Sequence, residues 1–519
     1  MQSSDLDEGM AHLQAGRWDA GVRQLRRVLE ARPEFAEVWA NVGYGLRELG
    51  RLDEARAALE RAVELNPSLA DAWNLLGLIE QAAGSHDSAH RWFTRAIELR
   101  PSLAAAWMNR ANSDFALGNV ARATEGHARA IALDPANAEA RINAAYVNVA
   151  AGDHRQAIAQ YREALRIKPG EARAHLGLAH QLYMAGEGGY LEHFREALRL
   201  GDDSTTAHVL TAGALFASGR YDEAWREYGW RSPRQEYLAA LAAKGLRYQL
   251  PPLAQLGGRR VAIVGEQGLG DNVFFLRYAP ALRAAGATLQ YVGDPRLHAL
   301  LLRTGTFDSV ADRAPSRDQE LAILAADVPL LFPGQAAASL PPPLPLRADE
   351  ARLAAARDRL RALGPAPHVA LTWRAGEPKE GVLRLVKEID PRRLGEALRG
   401  VRATWVSVQR AARSDELDAI GAGLGAAVHD LGAVNADLDD ALALMAAVDD
   451  YVGVSNTNVH LRAGVASRAR VLVPFPAEWR WNAPGRSPWF PAFDVYPAGR
   501  EAGWDASLAR LAADLRRAQ

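Results

Sequence analysis

The stretch AEVWANVGYGLRELGRLDEARAALERAVELNPSL, residues 36–69, decides the fold of the N-terminal part of this 519-residue chain. Its first half carries Trp39, Val42 and Leu46 at helical spacing and ends at Gly50, a residue typical of helix C-termini. A second amphipathic run follows, and Pro67 prevents it from continuing. The stretch therefore predicts two amphipathic helices joined by a tight turn.

The same pattern returns every 34 residues between about residues 3 and 228. Independent columns keep this period: Pro33, Pro67, Pro101, Pro135 and Pro169; Gly16, Gly50, Gly84, Gly118, Gly152 and Gly186; Ala55, Ala89, Ala123 and Ala157; Ala62, Ala96, Ala130 and Ala164. A fixed period of this length is the signature of a stacked array of helix pairs.

These units resemble the tetratricopeptide repeat, and the resemblance covers six to seven units, which we assign to a domain of residues 1–230. It implies an α superhelix with a groove that takes a protein or peptide partner. The last two units are degenerate, with Asp203 near the place of the repeated proline. We expect them to dock on the domain that follows.

Three asparagines share one position on the first helices of their units: Asn41, Asn109 and Asn143. In tetratricopeptide protein glycosyltransferases a similar asparagine ladder holds an extended acceptor peptide, because an amide both donates to and accepts from a backbone. This resemblance implies an acceptor groove. The alternative is that these amides are solvated or bonded within their own helices.

Composition excludes several classes of function. The 61 basic and 62 acidic residues give a net charge of −1, which argues against a nucleic-acid or membrane-surface binder. The absence of cysteine excludes disulfides, thiolate zinc sites and cysteine nucleophiles. Residues 1–16 lack the pattern of a secretory signal and no apolar run reaches the length of a membrane span, so we expect a cytoplasmic protein.

Beyond a linker at residues 231–258, strand and helix patterns alternate. RVAIV (260–264) predicts a strand, GEQGLGD (265–271) a glycine loop, and the residues after it a helix. A proline-rich crossover near 331–346 precedes a second alternating series. We predict two Rossmann-like lobes, residues 259–346 on the acceptor side and 347–519 on the nucleotide-sugar side, in a GT-B architecture.

The glycine loop places Asp271 at the start of a helix. Gly268 and Gly270 alone are weak evidence, since glycines serve any tight strand-to-helix turn. A carboxylate at this position has two readings: it caps the helix, or it acts as a general base toward an acceptor hydroxyl. Both stay open from the residues themselves.

The segment GLGDNVFFLRY (268–278) resembles the first lobe of heptosyltransferase-like glycosyltransferases, family 9 of these enzymes. In that family the carboxylate of this loop is the catalytic base, which the resemblance carries over to Asp271. SNTNVHLRAG (455–464) resembles the loop of the family that holds the donor diphosphate, which implies phosphate contacts from Thr457, Asn458 and His460. Asn456 stands where the family usually has aspartate.

Further candidates lie where strands of the second lobe end. Arg374 and Lys379 follow the first strand and are candidates for pairing with a phosphate, with solvated loop charges as the alternative. Gln409 ends the next strand and is a candidate for reading the nucleotide base. The segments PFPAEWRW (474–481) and SPWF (487–490) also resemble the family, and core packing is the favoured role of their aromatic residues.

These observations predict an inverting, metal-independent glycosyltransferase without a cofactor, which moves a sugar from a nucleotide-activated donor to a protein hydroxyl. Flagellin is one acceptor that the resemblance suggests. Two alternatives stay open: a heptosyltransferase of the lipopolysaccharide core, and an adaptor that has lost transferase activity, which the replacement at Asn456 favours.

Overall fold

The computed structural model describes residues 2–312, 321–375, 387–475, 477–481, 486–499 and 503–518. It divides into two compact units, residues 1–202 and 203–519, which are described separately below. No helix of the described residues is long and apolar enough to cross a membrane.

The first unit is a series of antiparallel helix pairs. The helices are α1 (Gln2–Gln14), α2 (Trp18–Ala31), α3 (Ala36–Glu48), α4 (Leu52–Leu65), α5 (Ala70–Ala82), α6 (His86–Leu99), α7 (Ala104–Ala116), α8 (Val120–Leu133), α9 (Ala138–Ala150), α10 (His154–Ile167), α11 (Ala172–Ala185) and α12 (Tyr190–Arg199). The helix pairs predicted from the 34-residue period are confirmed.

Two glycine columns have different physical reasons. The column from Gly16 to Gly186 has left-handed backbone, with φ between +66° and +79°, and it forms the turn inside each pair. Gly43 and Gly77 lie inside helices instead, where a Cβ atom would come within 2.5 Å of Leu59 and Phe93. The first column therefore serves conformation and the second serves close helix packing.

A column of hydrogen bonds ties each repeat to the turn before it. The indole Nε1 of Trp39, Trp73 and Trp107 donates to the carbonyl of the proline six residues earlier, over 2.8–3.0 Å. Arg141 and His175 take this position in later repeats and bond the carbonyls of Pro135 and Pro169. The donor changes along the array, while the acceptor stays the same.

The apolar core of the first unit is interrupted in its middle. One cluster runs from Leu13 to Ile79 and another from Ile142 to Leu182. Between them lie a small apolar cluster of Ala96, Ile97 and Ala106 and the buried polar side chains of α7 and α8: Asn109, Ser113, Asp114 and His127. His127 stands one period after Phe93 and one before Tyr161, so a histidine fills a core position that apolar or aromatic residues fill elsewhere.

The second unit begins with three further helices: α13 (Thr205–Ala217), α14 (Tyr221–Tyr228) and α15 (Ser232–Ala242). The sequence placed the end of the repeat domain at residue 230 and a linker at 231–258, whereas the compact units divide after Asp202. The reason is contact: Trp225 and Tyr228 of α14 pack on Phe275, and the Asp222 carboxylate accepts from the backbone N–H groups of residues 334 and 335.

The first sheet is parallel and has the strand order β3–β2–β1–β4. Its elements are β1 (Arg260–Val264), α16 (Leu269–Phe275), α17 (Ala279–Ala284), β2 (Thr288–Val292), α18 (His298–Arg303), β3 (Ser309–Ala311) and β4 (Leu321–Leu324). The connection from β1 to its neighbour β2 through α16 and α17 is the unit from which doubly wound sheets are built.

The second sheet has the order β10–β11–β9–β8–β5–β6–β7, parallel except for β10. Its elements are α19 (Glu350–Leu363), β5 (His368–Thr372), α20 (Pro391–Leu398), β6 (Thr404–Ser407), α21 (Ser414–Leu424), β7 (Val428–Asp430), α22 (Leu438–Ala447), β8 (Asp450–Val454), α23 (Thr457–Gly464), β9 (Ala469–Val473), β10 (Arg486–Ser487), β11 (Phe490–Pro497) and α24 (Asp505–Arg517). Without β10, the strands follow the 3-2-1-4-5-6 order of dinucleotide-binding sheets.

In such sheets the crevice for ligands lies outside the carboxyl ends of the strands, where the order reverses. In the second sheet that reversal is between β5 and β8, and in the first it is between β1 and β4. The sequence predicts site residues in the loops after β1, β5 and β8, which border these reversals, and in the segment after β6.

Candidate functional site

The loops after β1 and β8 meet through the first turns of α16 and α23. A Cβ atom on Gly270 would lie 2.7 Å from His460 Cδ2 and 3.5 Å from Thr457 Cα. Gly270 therefore allows a close approach that a larger residue would prevent, and its φ is not in the left-handed region. The structure thus brings together the predicted catalytic residue and the predicted phosphate loop.

Asp271 lies in the first turn of α16, two residues after the turn begins. Its Oδ1 accepts a 2.6 Å hydrogen bond from Arg480 Nη2, and 32% of its side chain remains exposed. The N-cap of this helix is Gly268, so the capping reading of Asp271 is not the one that the structure shows. The carboxylate has an arginine partner from the segment after β9.

Arg480 is itself buried between aromatic rings. Its guanidinium lies 4.6 Å from the centre of Phe274 and 4.7 Å from that of Trp479, and its Nε has no hydrogen-bond partner among the described residues. Burial lowers the pKa of Arg480, while the carboxylates of Asp271 and Glu478 more than offset this and raise it. The charge on this buried side chain is therefore stabilised by its acidic neighbours.

His460 is buried beside the same aromatic rings, and its Nδ1 has no partner among the described residues. Burial lowers its pKa well below the usual value, and Arg480, Arg277 and Lys387 lower it further. A neutral imidazole surrounded by cations is a suitable environment for an anion, which would neutralise those charges.

Arg277 is a second buried cation at this junction, with 2% of its surface exposed. It donates to the carbonyls of Phe274 and Trp489, and Nη2 has no partner within the described part of the chain. Burial lowers its pKa to about 9. Trp489 packs against this guanidinium, and Trp481 and Trp489 are both buried, as the packing interpretation of the aromatic segments expects.

Asn456 closes a ring of hydrogen bonds at the start of α23. Its amide donates to Thr372 Oγ1 over 3.1 Å, Thr372 and Tyr451 OH are 2.7 Å apart, and Tyr451 OH donates back to Asn456 Oδ1 over 3.1 Å. Burial raises the pKa of Tyr451 to about 12. Asn456 therefore has a structural role that needs both its donor and its acceptor, and Thr457 follows it at the first helical position.

Asn458 and Gln409 already have partners within the protein. Asn458 Nδ2 donates to Asn435 Oδ1 over 3.2 Å, and Gln409 Oε1 accepts from the backbone N–H groups of Trp373 and Arg374. Both amides are buried; Gln409 joins the ends of the neighbouring strands β5 and β6, and Asn458 joins α23 to the segment after β7. Their predicted contacts to the donor stay predictions, and they would require these bonds to break.

Arg374 forms a two-pronged ion pair with Glu416 of α21, at 3.1 and 3.2 Å, and also donates to the Ala411 carbonyl. A phosphate would have to compete with this carboxylate for the guanidinium. Lys379 lies outside the described residues, so its predicted role has no structural counterpart.

The glycine loop is held on its other side by α14 and α15. Arg231 donates to both carboxylate oxygens of Glu266, at 2.5 and 3.0 Å, and to Asp327 Oδ1 at 2.7 Å. Arg234 donates to the other oxygen of Asp327, and Tyr228 OH contacts the amide of Gln267. This cluster, which we call the Arg231 network, was missed by the sequence analysis because the two residues of each bonded pair are 35 to 96 residues apart in the chain.

The predicted acceptor ladder has uneven surroundings. Asn41 Nδ2 donates to the Glu37 carbonyl of its own helix, as the alternative reading expects, while the buried Asn109 donates to Asn74 Oδ1 of the preceding pair. Asn143 is half-buried. The amide link between Asn74 and Asn109 connects two repeats, and the sequence column did not include Asn74.

Comparisons with known proteins support the repeat assignment. A tetratricopeptide repeat model matches residues 6–70, 43–104, 75–138, 108–172 and 142–187. Residues 6–187 are therefore an array of tetratricopeptide repeats, which confirms the prediction for that part of the chain.

One curated relative is Protein FlbA from Caulobacter vibrioides, which is 26% identical over 346 residues. The match covers 61% of this chain and 56% of FlbA, so the chain spans little more than half of the length of that relative.

Solved structures with a likeness include Pseudomonas aeruginosa pilF, at 20% identity and a TM-score of 0.37, covering 40% of this chain and 99% of that one. YrrB, described as a TPR protein with an unusual peptide-binding site, is 21% identical with a TM-score of 0.31, covering 35% and 95% of the two chains. Scores this low carry no argument about function.

Proposed function

We propose that the protein is a glycosyltransferase of GT-B architecture that transfers a sugar from a nucleotide-activated donor to a hydroxyl of a protein acceptor. The second sheet would be the nucleotide-sugar lobe and the first sheet the acceptor lobe. The tetratricopeptide repeats would hold the acceptor, since arrays of this kind offer extended binding surfaces.

The observation that carries the proposal is the contact between Gly270 and His460 at the carboxyl ends of the two sheets. It sets a carboxylate, Asp271, beside a helix N-terminus and a group of buried cations. A group-transfer reaction with a phosphate leaving group needs a base on one side of the reacting carbon and stabilisation of negative charge on the other.

In the proposed reaction Asp271 accepts the proton of the acceptor hydroxyl. The hydroxyl oxygen attacks the anomeric carbon of the sugar, and the bond from that carbon to the donor phosphate breaks. The configuration at that carbon inverts. Thr457, His460 and the N-terminus of α23 would stabilise the charge that develops on the departing phosphate. A protein hydroxyl is the proposed acceptor, and flagellin stays a candidate from the family resemblance alone.

The first test is calorimetric binding of UDP, GDP, ADP, CDP and CMP to the whole chain. We expect one nucleotide to bind, to bind about tenfold or more weakly to His460→Ala, and to remain bound to Asp271→Ala. Asn41→Ala is a matched control in the repeats, with unchanged nucleotide binding. If no nucleotide binds the folded protein, the donor lobe and the reaction are both wrong.

A second candidate function is an adaptor that binds proteins through its repeats without catalysis. The engaged side chains of Arg374, Gln409 and Asn458 favour it, because each would have to break existing bonds to reach a donor. Binding of a nucleotide together with turnover of its sugar would reject the adaptor, whereas partner binding by the repeats without nucleotide binding would support it.

A further inference from the structure

Arg480 is the one charged side chain of the aromatic segment 477–481 that contacts the candidate base. The sequence favoured core packing for the aromatic residues of this segment. Arg480 Nη2 nevertheless lies 2.6 Å from Asp271 Oδ1, and Arg480 Nε is buried without a partner in the described residues. A buried guanidinium with an unused N–H group retains the capacity to bind a second acceptor.

The surroundings of Arg480 favour an anion as that acceptor. Arg480 and His460 both pack against the ring of Phe274, and the charge of Arg480 acts on the His460 imidazole. Among the described side chains at this junction, the cations Arg277, Arg480 and Lys387 exceed the carboxylates Asp271 and Glu478 by one charge, with Lys387 paired to Glu478 at 2.5 Å.

We propose that Arg480 is an exchange residue, which binds Asp271 when the site is empty and turns to the donor diphosphate when the site is filled. The inference rests on the proposed function, because it takes the anion to be the diphosphate of the donor. Without the donor, the Asp271 carboxylate is occupied by a cation and cannot readily accept a proton. Binding of the donor would release it, so the base would become available only when the sugar is in place.

The exchange has a consequence that a fixed ion pair does not have. Asp271 and the diphosphate compete for one guanidinium, so removal of Asp271 should strengthen anion binding. We expect Asp271→Asn to bind inorganic pyrophosphate, and the nucleotide found in the panel, about fivefold or more tightly than the parent. Arg480→Gln should bind both about tenfold or more weakly.

The double variant separates exchange from a general change in charge. In the Arg480→Gln background, Asp271→Asn should leave affinity unchanged, since the guanidinium for which the two acceptors compete is gone. Arg470→Gln is the matched control: Arg470 is also buried and pairs with Asp450 at 2.7 Å, at the opposite end of the β8 and β9 strands. We expect it to lower stability without changing anion affinity.

Thermal unfolding of each variant shows whether it is still folded. Arg480→Lys is a second substitution, which keeps the charge, in case Arg480→Gln does not fold. If Asp271→Asn binds pyrophosphate no more tightly than the parent, or if its effect persists without Arg480, the exchange is overturned while nucleotide binding still supports the proposed function. If pyrophosphate follows the expected pattern and every nucleotide fails, the exchange stands and the proposed donor is wrong. If neither binds, both are rejected.

Discussion

Two of the groups of buried charges in the second unit, the Arg231 network and the junction of α16 and α23, differ in how completely their polar atoms are paired. In the Arg231 network, two arginines face two carboxylates and the carboxylate oxygens of Glu266 and Asp327 each accept from a guanidinium. At the junction of α16 and α23, Arg277, Arg480 and His460 each keep a buried nitrogen without a partner in the described residues.

The difference separates charges that are fully paired within the protein from the buried cations on which our proposal of an anion site rests. A closed network offsets its desolvation cost within the protein, whereas open donors lower their cost only when an anion arrives. His127 in the repeats refines this distinction, since both of its nitrogens are unpartnered among the described residues and burial is the sole cause that shifts its pKa. It is an open polar group without a charged site around it.

The largest expected effect is on the closed network. Asp327→Ala leaves Arg231 and Arg234 buried or half-buried without their shared carboxylate, and we expect a loss of about 3–5 kcal/mol in the free energy of unfolding. Urea unfolding followed by circular dichroism measures it. Asp358→Ala, which removes an exposed pair with Arg361, is the control and should cost below about 1 kcal/mol. Equal costs would show that the buried Arg231 network stabilises the protein no more than an exposed ion pair does.

The pH dependence of the repeats tests His127. Burial lowers its folded-state pKa from 6.5 to about 4, so the unfolded chain binds the proton more readily. With respect to this residue, the free energy of unfolding is therefore highest above pH 6.5. It decreases by up to about 3 kcal/mol as the pH falls from 6.5 toward 4. His127→Leu, which restores the residue type at Leu59, should remove this part of the pH dependence in thermal unfolding. An unchanged slope would contradict the assignment.

The open junction is tested by a matched pair of glycines. Gly270→Ala forces a Cβ atom against His460, and we expect a cost of about 1–3 kcal/mol together with loss of nucleotide binding. At Gly268 a Cβ atom would lie 3.4 Å from Asp271 Oδ2, an ordinary contact, so Gly268→Ala should be close to neutral. Thermal unfolding measures the stability of both variants and calorimetry measures their nucleotide binding. Similar results for the two would contradict the close approach of Gly270 to His460.

The smallest effect is expected for the neutral bonds between repeats. Trp39→Phe keeps an aromatic ring but removes the 2.8 Å bond from Nε1 to the Pro33 carbonyl. Because such a bond contributes about 1 kcal/mol net, the melting temperature should fall by a few degrees. A melting temperature equal to that of the parent would show that water replaces the indole donor at no cost.

Local patterns predicted the parts of the fold that depend on neighbouring residues. The proline and glycine columns predicted the helix pairs, and a short apolar run predicted β1 at residues 260–264. Asp390 caps α20 and Pro391 begins it, a common local sequence pattern for the start of a helix. These features are set within a few residues of sequence, where turn and helix preferences act directly.

Long-range pairing was beyond the sequence. The degenerate end of the repeats led us to expect docking on the following domain, but local patterns did not show which side chains make the contact, such as Trp225 with Phe275. Core packing was the role favoured for the aromatic residues around Arg480, and no role was predicted for the arginine itself, whose bond to Asp271 spans 209 residues. The position of Arg480 between tryptophans in the sequence was the one signal available for it. That signal indicates a buried arginine but does not identify the carboxylate with which it pairs.

The polar middle of the repeat array has a consequence for cooperativity. In a one-dimensional stack, each helix pair is stabilised by its own core and by its two neighbours. Helices α7 and α8, with Asn109, Asp114 and His127 in the interior, contribute less apolar burial than the blocks on either side. We therefore expect the array to open as two foldons, residues 2–99 and 138–199, with α7 and α8 as the segment whose amides exchange first.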